Sequence, residues 1–324
     1  MNKIAAQIHA YGDANAICIN SLQLPPLGAG ELQIRHTAIG VNFVDIYHRT
    51  GLHQLPSFPA TLGVEGAGVI EAIGSGVEGF GIGQRVAYTG VVGSYATHRN
   101  LPANRAVALP KSVCDEFAAA TMLKGITAHM LFNHVRPLHA GDTVLIHAAA
   151  GGLGLVLVQW AKSLGARVIG TVGSRAKAEL AESFGLDHAI LYRDDDFVAA
   201  AMVLTEGKGV HFAIDGIGGN TLPRTLAAVR PYGMAASIGQ VSGEIGNIDP
   251  DLLGPARSIA LSRPSVFRFM SDLSLYREGA EATLKQLKSG LRVHIGGKLP
   301  LKDADLVHRQ LEGGDTTGAL LLQP

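Results

Sequence analysis

Residues 143–154 read TVLIHAAAGGLG, and this stretch decides the fold. The apolar run 143–146 predicts a buried β-strand, and the small residues after it predict a tight turn into an apolar helix ending near Leu164. Small residues let a backbone approach a pyrophosphate, and a helix N-terminus offers that anion free N–H groups. Residue 148 is alanine, whereas the G-x-G-x-x-G fingerprint of dinucleotide-binding loops begins with glycine. A tight turn selected only for packing is the alternative interpretation.

Downstream of this loop, the sequence alternates between strand and helix patterns. Further strands are predicted at 167–171, 189–191, 210–215, 233–238 and 258–261. Helices are predicted at 176–184, 195–204 and 220–229. Strands alternating with helices of about ten residues predict an α/β domain with a doubly wound parallel sheet. Five further βα units also favour cofactor binding over the packing interpretation of the glycine loop.

The regions on either side of the βα units have different patterns. Short strands separated by turns are predicted at 31–36, 63–73, 83–88 and 91–98, which is typical of a β-rich barrel or sandwich. A helical pattern begins near 114–120 and continues across 127–133. The C-terminal region is predicted to form helices at 274–289 and 304–311 and a strand at 319–322.

Composition narrows the class of protein. The 27 basic and 27 acidic residues cancel, which argues against a net-basic nucleic-acid binder. Two cysteines, Cys18 and Cys114, exclude a disulfide framework and predict a reducing compartment, the cytoplasm. The most apolar stretch, 143–160, is interrupted by His147, Gln159 and glycines, so no membrane span is expected. Charged residues make up only 17% of the chain, which is compatible with buried subunit contacts.

The segment after the second βα strand, TVGSRAK at 171–177, indicates which cofactor binds. NAD enzymes place a carboxylate about twenty residues after the glycine loop to bind the ribose hydroxyl. Here Ser174, Arg175 and Lys177 supply a hydroxyl and two cations instead. Charge-assisted hydrogen bonds of this kind suit a 2′-phosphate, so the segment predicts NADPH. An ordinary solvated helix turn is the alternative.

Five segments together resemble the zinc-free, NADPH-dependent quinone oxidoreductases of the medium-chain dehydrogenase/reductase superfamily. They are residues 40–47 (GVNFVDIY), 123–128 (LKGITA), 147–154, 170–177 and 262–265 (SRPS). The resemblance implies a GroES-like catalytic domain at 1–125, a Rossmann NADPH-binding domain at 126–265 and a return to the catalytic domain at 266–324. It also implies an active site between the two domains and a homodimer joined along the cofactor-domain sheet.

The resemblance also implies roles for individual residues. Asn42, Tyr47 and Lys124 are the expected catalytic residues, with Asp45 supporting their loop. Cofactor contacts are expected at Asn42, Tyr47, Thr127, Gly151, Gly152, Leu153, Gly173, Ser174, Arg175, Lys177, Tyr192, Ile238, Gly239, Gln240 and Arg263. Relatives often carry an arginine shortly before the final strand, but residues 313–319 read GGDTTGA here, so that contact is in doubt.

No metal is expected. Zinc-dependent relatives have cysteine where this chain has Asn42, and a His-Glu pair where it has Val64 and Glu65. Glu65 is then a leftover carboxylate or a structural hydrogen-bonding group. Purely structural roles also remain open for two of the expected catalytic residues. Tyr47 can be a packed aromatic, and Lys124 can cap a helix or pair with a carboxylate.

The function predicted from these observations is transfer of a hydride from NADPH to a quinone, with a proton from Tyr47 or water. One alternative is reduction of α,β-unsaturated aldehydes or ketones. Another, from a different class, is an NADPH-binding protein with a partner- or RNA-binding role. No G-x-S-x-G or P-loop motif supports a hydrolase or a nucleoside triphosphatase. The variable loops 50–58 and 241–255 are expected to contact the acceptor.

Overall fold

The computed structural model describes residues 3–324. Its strands are β1 (Ile4–Ile8), β2 (Cys18–Ser21), β3 (Glu31–Val41), β4 (Ala60–Thr61), β5 (Glu65–Ile73), β6 (Arg85–Thr89), β7 (His98–Pro102), β8 (Val107–Ala108), β9 (Thr143–Ile146), β10 (Arg167–Val172), β11 (His188–Leu191), β12 (Val210–Asp215), β13 (Val229–Ser237), β14 (Ala260–Ser262), β15 (Ile295–Pro300) and β16 (Ala319–Gln323). Its α-helices are α1 (Phe43–Thr50), α2 (Asp115–His129), α3 (Gly152–Ser163), α4 (Arg175–Ser183), α5 (Phe197–Leu204), α6 (Thr221–Ala227), α7 (Val266–Ser271), α8 (Leu273–Lys288) and α9 (Ala304–Gly313). A π-helical segment, Met130–Val135, continues α2.

The described residues form two compact units. Unit 1 contains residues 3–126 and 270–324, and unit 2 contains residues 127–269. Unit 2 is therefore inserted into the chain of unit 1. The domain limits predicted from the sequence lie after residues 125 and 265.

Unit 2 contains a parallel six-stranded sheet in the order β11-β10-β9-β12-β13-β14. With β9 counted as the first strand, this is the 3-2-1-4-5-6 order of doubly wound dinucleotide-binding domains. Buried aliphatic side chains fill the sheet, including Leu145, Ile169 and Ala213 from its three central strands. Because the strands are parallel, their carboxyl ends lie along one edge. The predicted doubly wound sheet is confirmed.

Unit 1 is β-rich, as the sequence predicted. Its larger sheet runs β15-β16-β3-β5-β6-β8, with β7 also paired to β3, and a smaller sheet runs β2-β1-β4. Apart from the parallel pair β15 and β16, the pairings are antiparallel. The core combines Ile39 and Leu62 with Leu320 and Leu322. Residues from both sides of the insertion therefore complete one core.

The strand predicted at 91–98 is wrong. Gly93 has φ +114°, a left-handed conformation that interrupts an extended strand. The N–H groups of Gly93 and Ser94 both donate to the Gly63 carbonyl oxygen, at 2.8 and 3.1 Å, so the chain turns here. The strand β7 begins only at His98.

Candidate active site

The N-terminus of α1 is fixed by a buried carboxylate. Asn42 caps the helix, and its backbone N–H donates to Asp45 Oδ2 at 2.8 Å. The backbone N–H of Asp45 donates to the Asn42 carbonyl oxygen at 2.9 Å. These reciprocal bonds hold Asn42 at the point where β3 passes into α1, and Asp45 supports the loop as expected.

Glu65, at the start of β5, is fully buried and connects Asn42 to α2. Its carboxylate accepts from the Leu123 backbone N–H at 2.6 Å and from Asn42 Nδ2 at 2.8 Å. Lys124 Nζ lies 3.4 Å from Glu65 Oε2 and donates to Asn42 Oδ1 at 2.7 Å. An ammonium only donates and a carboxylate only accepts, so the two partners fix the orientation of the Asn42 amide.

Glycines allow this close packing in unit 1. A Cβ at Gly40 would lie 2.2 Å from the Ala119 carbonyl oxygen and 2.6 Å from Glu65 Oε2. A Cβ at Gly125 would lie 2.3 Å from Thr283 Oγ1 of α8. All three distances are far below van der Waals contact, so glycine at these positions lets α2 approach β3 and α8.

The donor set around Asn42 does not fit zinc. The Glu65 carboxylate already accepts three hydrogen bonds, and the Lys124 ammonium beside it would repel a divalent cation. A zinc site needs three or four converging Cys, His or carboxylate ligands. Val64 has no ligand atom, and both cysteines of the chain are exposed free thiols.

A buried polar line runs from Asp45 to the surface of unit 1. Tyr95 OH donates to Asp45 Oδ2 at 3.1 Å and lies 3.0 Å from His308 Nε2. His308 Nδ1 lies 3.2 Å from Arg49 Nη1, and Arg49 forms a bidentate pair with Glu312. Burial raises the pKa of Asp45 to about 7. Burial, with Arg49 nearby, lowers the pKa of His308 to about 3. No local sequence pattern indicated this line of contacts.

Tyr47 lies on α1, five residues after Asn42, and is half-buried. Its ring packs edge-on against His53, with 5.3 Å between ring centroids, and its carbonyl oxygen accepts from the His53 N–H at 3.0 Å. Unit 1 thus brings Asn42 and Lys124 into direct contact and carries Tyr47 on the helix that Asn42 caps. Thr127 lies buried on α2, one turn after Lys124, and belongs to unit 2.

In unit 2, the glycine loop connects β9 to α3. Ala148 has φ +51°, and Gly151 is the N-cap of α3. A Cβ at Gly154 would lie only 2.3 Å from the Ala148 carbonyl oxygen, so α3 can approach the loop only with glycine there. Gly152 and Leu153 form the first turn of α3, where backbone N–H groups lack helical partners.

The end of β10 has no carboxylate and is lined by polar and cationic side chains. Ser174 caps α4 and accepts from the Lys177 N–H at 3.4 Å. A Cβ at Gly173 would lie 3.1 Å from Tyr192 OH and 3.5 Å from Arg193 Nε. Arg175 is exposed, with its guanidinium 3.8 Å from Glu179. Arg193 therefore lies beside Gly173, although it was not among the cofactor contacts predicted from the sequence.

The loops after β12 and β13 pack against each other. A Cβ at Gly239 would lie 2.6 Å from the Gly216 carbonyl oxygen, and a Cβ at Gly218 would lie 2.7 Å from Gln240 Cα. The backbone N–H of Ile238 donates to the Asp215 carbonyl oxygen at 2.8 Å. Arg263, just after β14, donates to Gln240 Oε1 at 2.8 Å. The predicted positions 238–240 and Arg263 thus meet at the carboxyl edge of the sheet.

Known proteins resemble the chain along its whole length. The alcohol dehydrogenase GroES-like domain matches residues 28–111, and the zinc-binding dehydrogenase domain matches residues 152–285. A 2-haloacrylate reductase of Burkholderia sp is 38% identical over 99% of both chains. Quinone oxidoreductase 1 of Escherichia coli is 37% identical over 98% of both chains. The crystal structure of E. coli quinone oxidoreductase complexed with NADPH gives a TM-score of 0.95 at 35% identity, covering 99% of this chain and 100% of the other.

The second of these domains is named for zinc, yet the residues around Asn42 and Glu65 do not supply a zinc donor set. Among residues 3–324, no helix has the length and apolar content needed to cross a membrane. The GroES-like part and the doubly wound part predicted from the sequence are both confirmed. From its strand order, its full-length similarity and its domains, the chain belongs to the quinone oxidoreductases of the medium-chain dehydrogenase/reductase superfamily.

Proposed function

We propose that this protein is a metal-independent NADPH:quinone oxidoreductase. The observation that carries the proposal is the end of β10, where Tyr192 and Arg193 lie against Gly173 and Ser174 caps α4. Residues 171–177, which include Lys177, contain no carboxylate. A carboxylate there would repel a 2′-phosphate, whereas hydroxyls and cations attract it. Full-length relatives named quinone oxidoreductase support the choice of acceptor.

The residues of unit 2 fit a dinucleotide. Gly151, Gly152 and Leu153 would bind the pyrophosphate through the free N–H groups of α3. Gly173, Ser174, Arg175, Lys177 and Tyr192, joined by Arg193, would hold the 2′-phosphate. Ile238, Gly239, Gln240 and Arg263 would contact the nicotinamide half, and Asn42, Tyr47 and Thr127 stay predicted contacts of the cofactor. NADPH supplies the hydride when it is bound.

The residues of unit 1 would manage charge and protons during the reduction. Reduction of a quinone places negative charge on an oxygen, which becomes a hydroxyl. The Lys124 ammonium is held by Asn42 and Glu65, and it can stabilise developing charge without changing its own position. Tyr47 would donate a proton from its phenol, or order the water that does so. The two hydrogen bonds of the Asn42 amide make it a support for Lys124, in addition to its proposed contact with the cofactor.

One relative favours a second candidate acceptor. The name of this relative states that it reduces a 2-haloacrylate, an acid with a carbon–carbon double bond conjugated to its carboxylate. The relative therefore supports reduction of a carbon–carbon double bond conjugated to a carbonyl group as a second candidate activity. Its substrate is an acid, whereas the acceptors predicted from the sequence are aldehydes and ketones. The enolate formed from such an acceptor is a stronger base than a hydroquinone anion, so its reduction depends more on a proton donor.

The test is turnover of 1,4-benzoquinone with NADPH and with NADH, compared with turnover of an unsaturated ketone. We expect the highest kcat/KM with NADPH and the quinone. Tyr47→Phe should lower kcat with the quinone about tenfold or less, or about 1.4 kcal/mol, and lower kcat with the ketone about a hundredfold. A loss above about a thousandfold with the quinone would contradict the assigned acceptor. Absence of turnover despite NADPH binding would favour a partner- or RNA-binding role.

We also propose a cytoplasmic homodimer. Its support is that β14 is an edge strand of unit 2, paired on one side with β13 and able to extend the sheet into a second copy. The exposed free thiols of Cys18 and Cys114 suit a reducing compartment. Light scattering of the purified chain tests the dimer, and a monomer at micromolar concentration would contradict it.

A further inference from the structure

A buried histidine, His147, lies directly before the glycine loop and is not among the proposed catalytic or cofactor-binding residues. His147 follows β9 and is almost fully buried. Its Nδ1 lies 2.9 Å from Thr171 Oγ1, and its Nε2 lies 2.9 Å from Thr225 Oγ1. Thr225 Oγ1 donates to Asp215 Oδ2 at 2.7 Å. We call these four residues the strand-end network.

The chemistry of the partners fixes where each proton lies. Asp215, as a carboxylate, only accepts, so the Thr225 hydroxyl donates to it and must accept from His147 Nε2–H. His147 Nδ1 then accepts from the Thr171 hydroxyl. Burial lowers the pKa of His147, which favours the neutral ring, and the partners select this tautomer. Each polar atom of the imidazole is therefore satisfied without a charge on the ring.

The network joins the ends of three neighbouring strands. Its members follow β9 or lie at the ends of β10 and β12, while Thr225 comes from α6. Asp215 Oδ1 also accepts from the backbone N–H groups of Ile217 and Gly218, at 2.8 and 2.9 Å. Gly218 belongs to the loop that packs against Gln240. A set of short hydrogen bonds thus connects the glycine loop with the loop after β12, which packs against the loop after β13.

The glycine loop needs such support. Ala148, next to His147, has φ +51°, and a non-glycine residue in this conformation persists only where its surroundings impose it. The backbone N–H of Ala149 donates to the Thr171 carbonyl oxygen at 3.0 Å, so one threonine holds both the loop backbone and the imidazole.

We propose that His147, Thr225 and Asp215 are positioning residues that lock the pyrophosphate loop to the loops on the nicotinamide side before the cofactor arrives. The inference rests on the proposed function, because it concerns binding of the same cofactor. Loss of the network would leave the loops free to move apart, so a dinucleotide would have to order them on binding.

Thr225→Val tests the proposal, because it removes the hydroxyl while keeping the side-chain volume. Dissociation constants for NADPH, NADH and adenosine 2′,5′-bisphosphate are measured by fluorescence or calorimetry. We expect Kd to rise about tenfold for both dinucleotides, since a buried hydrogen bond on each side of Thr225 is lost. The bisphosphate lacks the nicotinamide half, and its Kd should stay within about twofold.

Two variants serve as controls. Thr225→Ser keeps the hydroxyl and should restore dinucleotide binding. Thr205→Val removes another buried hydroxyl of unit 2, which bonds the Ala201 carbonyl oxygen and the Gly209 N–H, at the opposite end of β12. Thr205→Val and Thr225→Val should both lower the midpoint of unfolding, since each removes a buried hydroxyl. Only Thr205→Val should leave the three dissociation constants unchanged.

The outcomes separate the two proposals. Equal effects of Thr225→Val and Thr205→Val on dinucleotide Kd, or equal weakening of the bisphosphate, would reduce the network to a structural element and overturn the inference. A wild-type protein that binds neither dinucleotide would overturn the proposed function itself. A wild-type protein that binds NADH as tightly as NADPH would contradict the NADPH assignment, and the effect of Thr225→Val would still be measured with NADH.

Discussion

The two units organise their functional residues by different physical means. In unit 1, charged and polar side chains are removed from water and form hydrogen bonds with one another, as Asn42, Glu65 and Lys124 do. In unit 2, backbone geometry dominates, with Gly154 and Gly239 allowing close approaches and hydrogen bonds to backbone groups and hydroxyls holding the loops. Unit 1 should therefore be most sensitive to loss of a charge, and unit 2 to the addition of a methyl group.

The largest effect is expected from one added methyl group in unit 2. In Gly154→Ala the new Cβ would lie 2.3 Å from a backbone oxygen that cannot move without displacing the loop. We expect NADPH Kd to rise about a thousandfold or more, roughly 4 kcal/mol, measured by cofactor fluorescence. Gly246→Ala is the matched control, because no atom lies within 4 Å of its added Cβ. Binding within about threefold of wild type in Gly154→Ala would contradict the packing argument.

A charge removed from unit 1 should give the next largest effect. Glu65→Gln leaves the Lys124 ammonium buried without its carboxylate, which should lower the free energy of unfolding by about 3 kcal/mol in urea titrations. Glu71→Gln, on the same strand, breaks the exposed pair with Arg35 and should cost less than about 1 kcal/mol. Equal losses of unfolding free energy in the two variants would show that burial does not make the Glu65 ion pair more important for stability than the Glu71 pair.

Cofactor preference should respond to the cations near Gly173. Lys177→Ala and Arg193→Ala should each raise KM for NADPH about tenfold or more, roughly 1.5 kcal/mol, with little change for NADH. Arg175→Ala should have a smaller effect, because that guanidinium is exposed and lies near Glu179. Parallel increases in KM for the two cofactors would contradict a 2′-phosphate site.

The smallest effect for a single step in conditions, one pH unit, concerns the pH dependence of stability. Burial raises the folded pKa of Asp45 to about 7 from 3.8, so between these values the folded state binds more protons than the unfolded chain. The stability due to this group is complete below the unfolded pKa and is lost as pH rises through the folded pKa. Tyr95, Glu65 and Lys124 face the carboxyl group and influence its titration.

Asp45→Asn removes that titration. Relative to wild type, its free energy of unfolding should improve as pH rises across this window, by at most about 1.4 kcal/mol per pH unit. Urea titrations at several pH values measure the difference, in which the buried histidines common to both proteins cancel. Parallel stability curves for the two proteins across this window would show that folding does not raise the pKa of Asp45.

The sequence predicted the features that depend on local pattern. The strand–helix alternation and the residues 148–154 predicted the doubly wound sheet, because apolar periodicity and small residues act over a few positions. The carboxylate-free segment around Ser174 likewise predicted the character of the β10 end. Gly93 shows the limit of this approach, since its positive φ ended a segment whose composition favoured a strand.

Contacts between distant positions could not be predicted in this way. Tyr95 and His308 are separated by 213 positions, and Asn42 and Lys124 by 82. Nothing in either neighbourhood specifies the partner. For Lys124 the sequence left pairing with a carboxylate as an alternative, and the structure identifies that carboxylate as Glu65. Arg193 was missed because its approach to Gly173 depends on the path of the chain after β11.

The position of β16 has a consequence for the synthesis of the protein. This strand, Ala319–Gln323, lies between β15 and β3 inside the larger sheet of unit 1. The ribosome makes β3 early and β16 only after the whole of unit 2. Unit 2 can fold while the chain is still growing, since its six strands come from one continuous segment. Unit 1 must wait with an open sheet edge beside β3 until residues 319–323 emerge, which makes this interval the one in which a nascent chain is most exposed to mispairing.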